Sequence, residues 1–197
     1  MTEKGKLIVL EGVDDAALAQ IGTELCRWLR EHGLAAEHTT EPTYGPAGSQ
    51  ILLARQGRVQ FDATSLALLY LADRLDHAQR ADGIESWRAA GRHVVCTHYG
   101  LAAAARLWKQ VETDWQSGIN AFCCAPDLTL FVDLAVSETH RQRLRESYLA
   151  AIQDWQSSQH NIVMIDGVRS VEHARQACQK QISHLLELEH LECDWGA

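Results

Sequence analysis

Short apolar runs separated by segments of helical periodicity constrain this chain more than any other feature. Residues 6–11 (KLIVLE), 93–97 (HVVCT), 128–134 (LTLFVDL) and 162–166 (IVMID) carry the β-branched and aliphatic character of strands buried on both faces. Residues 16–31 place Leu18, Ile21, Leu25 and Leu29 at helical spacing just after Gly12; the chain therefore opens as strand, turn, helix. Further helical segments are read over residues 61–81, 84–90, 101–115, 137–155 and 171–188. Strands alternating with helices predict a mostly parallel sheet covered on both faces, with any ligand at the carboxyl ends of the strands.

The chain has 197 residues, 46% hydrophobic and 22% charged, with three prolines. That suits one domain over residues 1–197 and leaves little room for a linker. A net charge of −8 opposes general attraction to nucleic acid. No apolar run reaches the roughly 18 residues of a membrane span, and the first residues pass directly into a strand. A cytoplasmic protein with no nucleic-acid and no membrane partner is expected. The six cysteines lack paired CxxC spacing and are expected to stay reduced. His93, Cys96 and His98 form an HxxCxH run, but on a strand Cys96 and His98 face away from His93, so no metal is expected there.

Six segments resemble the thymidylate kinases in order and at near-family spacing. Residues 5–14 (GKLIVLEGVD) resemble the family's opening, 39–42 (TTEP) its TREP, 68–74 (LLYLADR) its LLFAADR and 94–99 (VVCTHY) its VVCDRY. Residues 126–134 (PDLTLFVDL) resemble its fourth strand and 162–167 (IVMIDG) its last. The resemblance implies a three-layer α/β fold of the P-loop NTPase type, with a five-stranded parallel sheet and commonly a homodimer built from helices across a two-fold axis.

Against that family pattern the phosphate-handling residues are altered. A working loop reads GxxxxGK[ST], in which glycines expose backbone N–H groups, lysine bridges phosphates and the hydroxyl holds Mg²⁺. Here Ala17, Leu18 and Ala19 replace the second glycine, the lysine and the hydroxyl, and Asp15 replaces a glycine beside Asp14. Thr97 and His98 stand at the Asp-Arg pair, Thr40 at the TREP arginine, and Ala102, Ala105, Arg106 and Leu107 at the positions that frame thymine. Residues 140–148 (HRQRLRESY) run from one helix signal into the next, leaving no room for the family's arginine-rich lid. Arg141 and Arg145, four residues apart, suit an exposed charged helix face or phosphate ligands.

A catalytically degenerate family member is therefore expected, acting as a homodimer or as the partner of an active kinase, with no cofactor. The alternatives are a weak nucleoside monophosphate kinase using ATP and Mg²⁺, and a small-ligand module lined by Tyr70, Tyr99, Trp108 and His98. Candidate ligand-binding residues are Glu11, Asp14, Glu41, Pro42, Tyr70, Arg74 and Tyr99. Arg74 suits either a phosphate contact or a structural ion pair with Asp73 or Asp76. Asp14 or Asp15 is expected to cap the first helix, and Asp15 to turn toward its free N–H groups as a substitute for phosphate. The helix over residues 61–80, with Leu66, Leu68, Leu69, Leu71 and Leu75 on more than one face, is the expected dimer element.

Overall fold

A computed structural model describes residues 3–112, 118, 122–156 and 161–188. Its sheet contains β1 (Leu7–Glu11), β2 (Ala36–Thr40), β3 (His93–Thr97), β4 (Leu128–Asp133) and β5 (Ile162–Asp166). The order is β2-β3-β1-β4-β5 with every pairing parallel. The helices described in full are α1 (Asp15–Glu31), α2 (Pro46–Arg55), α3 (Ala63–Gln79), α4 (Ile84–Ala89), α5 (Gly100–Arg106), α6 (Thr139–Gln156) and α7 (Val171–Leu185). No described helix is long and apolar enough to cross a membrane.

The alternation of side chains along β1 sorts the layers. Ile8 and Leu10 join Val95, Leu130 and Val132 beneath α1 and α7, whereas Leu7 and Val9 join Val94, Cys96 and Ile84 on the other face. On that second face Phe131 packs with Tyr148 of α6 and the alanines of α5. Central strands buried on both sides read as continuous apolar runs. The edge strand β2, AEHTT, is polar and only partly buried, and the same residues carry no strand signal in the sequence. The other edge strand, β5, departs from the expectation of burial on both faces: only Ile165 is buried and Met164 is 42% exposed, because no further strand of the described residues extends the sheet beyond it.

Three helices differ from expectation. The helix read over residues 101–115 ends at Arg106; Lys109 has φ +61°, a left-handed conformation that does not continue a helix, and residues 113–115 lie outside the described residues. The helix α2 is additional to the elements expected from the sequence. Third, α3 is packed with its polar side inward. It buries Asp73, Arg74 and His77 together with Ala67, Tyr70 and Ala78, while Leu68 is 48% exposed and Leu71 and Leu75 are partly exposed on the opposite face. Leu66 and Leu69 flank the buried side and pack against Ile51, Tyr70 and Leu107. Among the described residues between β4 and β5, helix α6 runs unbroken through residues 140–148, as the sequence there leads one to expect.

Candidate active site

At the carboxyl end of the sheet the chain leaves β1 through Gly12 and Val13 and is helical from Asp15 onward. Gly12 is required by close approach, since a Cβ there would sit 2.8 Å from the Val132 carbonyl oxygen. Asp14 is the N-cap, its Oδ1 accepting the Ala17 N–H at 3.0 Å, so one of the donors left over at the helix start is satisfied from within the chain. Its Oδ2 accepts from Arg141 Nη1 at 2.8 Å. Leu18 is fully buried in the core under the sheet.

Asp15 does not turn back onto the helix N–H groups. Its carboxylate faces outward: Oδ2 accepts from Arg55 Nη2 at 2.6 Å, while Oδ1 lies 3.2 Å from His98 Nε2 and 3.6 Å from Arg106 Nη2. The His98 imidazole, with smaller help from Arg55 and Arg106 and against the cost of burial, holds the carboxyl far below the usual carboxylate range. Burial pulls His98 toward the neutral form, but Asp15 and Glu11 outweigh it and raise its pKa above the ordinary imidazole value. His98 has φ +61°, a region that histidine and asparagine enter more readily than most residues.

Glu11, wholly buried at the end of β1, is occupied inside the fold. Its Oε1 accepts from the Tyr99 and Ala102 N–H groups at 2.9 and 3.2 Å, capping α5, and its Oε2 accepts from the Tyr148 hydroxyl at 3.2 Å. Glu41 is engaged likewise, accepting from Arg74 Nε at 3.1 Å and lying 3.1 Å from His77 Nδ1. Arg74 stacks on the Tyr99 ring, 4.7 Å from its centroid. Its ion-pair partner is thus Glu41, and Asp73 instead accepts from the Thr43 N–H and hydroxyl. Pro42 is buried beside this network. Among the described residues Glu41, His77 and Cys96 form the one group whose ligand atoms could surround a metal; Arg74 already supplies positive charge to it, and burial pushes the Cys96 thiol well up.

Between these elements lies a cavity of about 670 Å³. It is lined by Asp15, Arg55, Arg106, Arg141 and Arg143, by Tyr70, Ser147 and His140, and by the aliphatic Val13, Ala16, Ala54, Leu66, Ala105 and Leu144. Of the expected ligand-binding residues only Tyr70 lines it. Tyr99 turns its hydroxyl to the Cys124 carbonyl, and Trp108 packs against the core of α5 and α6. Arg145 leaves the cavity to make a two-point pair with Asp133, both contacts 2.6 Å. Arg55 gave no signal in the sequence, because it reaches Asp15 from forty residues away.

The profile of the thymidylate kinase family matches residues 10–177. The chain belongs to the thymidylate kinase family. The Desulfotalea psychrophila thymidylate kinase is 34% identical over 141 residues, 70% of this chain and 68% of that one. A Staphylothermus marinus protein described as a probable thymidylate kinase is 29% identical over 206 residues, covering 95% and 96%. The crystal structure of the Ehrlichia chaffeensis thymidylate kinase superposes with a TM-score of 0.73 at 16% identity, covering 91% of this chain and all but 1% of that one. In this thymidylate kinase-family chain the parallel sheet and the strand-to-helix turn after Glu11 are retained, and the cavity opens where the strand ends meet α2, α3, α5 and α6.

The Asp15–His98 contact carries a pH signature. A raised histidine pKa means that the folded state favours the imidazolium; the stabilisation is complete below the ordinary value near 6.5 and is lost as pH rises through the raised value. Asp15 stays ionised throughout that window, as its pKa is lowered. His98→Asn, which tolerates the left-handed backbone, should therefore lower the unfolding midpoint by about 2 °C or more at pH 6 and by less at pH 9. Thermal unfolding of the two proteins across that range checks this; a difference that grows with pH would contradict it.

Proposed function

We propose that this thymidylate kinase-family chain does not transfer phosphoryl groups and acts as a dimeric binding or regulatory member of its family. The observation that carries the reading is that the segment after Gly12 is already helix from Asp15 onward. A phosphate cradle needs several N–H groups turned into one concavity and a lysine reaching over it. Here the helix begins at Asp15, Asp14 takes the Ala17 N–H, and the side chain at position 18 is leucine pointing into the core. A magnesium nucleotide does not fit these residues. No hydroxyl is present at Ala19 for the metal, and an ammonium at position 18 would be buried away from any phosphate.

The alternative of a weak nucleoside monophosphate kinase rests on the arginines of the cavity, which could neutralise a transferring group. Positive charge alone does not position a donor and an acceptor in line. A coupled assay with ATP, Mg²⁺ and thymidine, uridine or cytidine monophosphate should give no turnover above the assay blank. A rate of about 1 s⁻¹, the lower end for kinases, in protein free of host enzyme would overturn the reading.

The outward leucines of α3 support the dimer. Leu68, Leu71 and Leu75 lie at i, i+3 and i+7 on a face that no hydrophobic cluster of the described residues covers, and covering such a stripe with a second copy removes apolar surface from water. Sedimentation at micromolar concentration should give twice the chain mass, and Leu71→Asp should shift it to the monomer without unfolding it. A monomeric wild-type chain would remove the dimer from the proposal.

A further inference from the structure

The cavity beside Asp15 holds more positive charge than its one carboxylate can balance. On a chain of net charge −8, four arginines line it against Asp15 alone. Arg141 has Asp14 and Glu138 as partners, but Arg55, Arg106 and His98 all converge on the single charge of Asp15. No carboxylate of the described residues pairs with Arg143. Asp15 is also 55% exposed in its side chain, so it stands at the wall of the cavity and a further anion can approach the same cations.

The chemistry of the lining selects the ligand class. Guanidinium groups only donate hydrogen bonds, and beyond them the polar groups are Ser147, His140, the largely buried Tyr70 and Asp15. No asparagine or glutamine is present to offer the adjacent donor and acceptor with which a nucleobase edge is read. A ligand whose surface consists of acceptor oxygens matches this lining, and a multiply charged one matches the charge excess. The volume, about 670 Å³, lies in the ordinary range of small-molecule sites.

We propose that this cavity binds a compact polyanion without a nucleobase, with Arg106 and Arg143 as its principal ligands and Asp15 as a built-in anion that competes for Arg55 and Arg106. The proposal deepens the non-transferring reading by naming the ligand class of the same site. Phosphate oxygens suit the bidentate fork of arginine; carboxylates share that chemistry, and the two sources are separated by probe.

Calorimetric titration of the full chain with inorganic tripolyphosphate and, separately, with citrate tests it. One site per chain is expected for at least one probe, weakening as salt rises from 50 to about 200 mM, and the tighter probe names the source. Arg106→Ala and Arg143→Ala should each weaken binding about tenfold or more, as expected for a charge-assisted contact. Asp15→Asn should tighten it about tenfold by removing the competing charge. Arg27→Ala, on the exposed face of α1, should leave it unchanged. Thymidine monophosphate should bind more weakly than the better of the two polyanions. The proposal is overturned if neither polyanion gives a saturable signal, if both arginine variants bind as the wild type does, or if the nucleotide binds tighter. Arg143→Ala removes an exposed side chain with no ion pair, so the test survives should Asp15→Asn fail to fold. The outcomes are separable: phosphoryl transfer in the coupled assay would end the non-transferring reading while leaving polyanion binding in place, and absent binding would end this proposal alone.

Discussion

The carboxylate of Glu11 is taken completely out of water at the end of the central strand, and the architecture around the cavity follows from how it is satisfied. A buried carboxylate must find donors within the protein. Glu11 finds them on three elements: the Tyr99 N–H at the exit of β3, the Ala102 N–H in the first turn of α5, and the Tyr148 hydroxyl of α6. It therefore fixes β1, the turn at His98 and α6 relative to one another. With that turn fixed, His98 is held in the left-handed region with its ring between Glu11 and Asp15, and the placement of Asp15 among Arg55, Arg106 and His98 follows.

The turn from β1 into α1 is satisfied from within the chain. Backbone donors at a helix start need a partner. Asp14 supplies one on the spot, the helix begins at Asp15, and Leu18 lies in the core with Ile21, Leu25 and Leu29. Charge that a bound phosphate would bring is supplied in part by Asp15. The arginines that line the cavity come from α2, α5 and α6, so its positive character does not depend on the segment after Gly12.

Much of this was legible in the sequence, for identifiable reasons. The central strands are buried on both faces and spell themselves as apolar runs, and α1 declares its buried face through Leu18, Ile21, Leu25 and Leu29. The edge strand β2 was invisible to pattern because AEHTT holds no apolar run, its side chains beyond Ala36 being only partly covered. The helix α3 misleads for the opposite reason: its leucines are the plainest periodic signal, yet its buried face is held by Arg74, His77 and Asp73 through Glu41, Thr39 and Thr43, a network no local pattern encodes. At the site, capping by Asp14 could be read from its place before a helix, but the fate of Asp15 could not, since Arg55, His98 and Arg106 are brought to it only by the fold.

Residues 15–18 form the first turn of a helix capped by Asp14, and the proposed loss of phosphoryl transfer requires that this turn not open for a triphosphate. Backbone chemical shifts of Asp15, Ala16, Ala17 and Leu18, measured by NMR with and without millimolar magnesium ATP, test it directly. Helical shifts are expected at all four residues, unmoved when the nucleotide is added. Non-helical shifts in the free chain, or a saturable nucleotide-dependent loss of helical character at these residues, would contradict it.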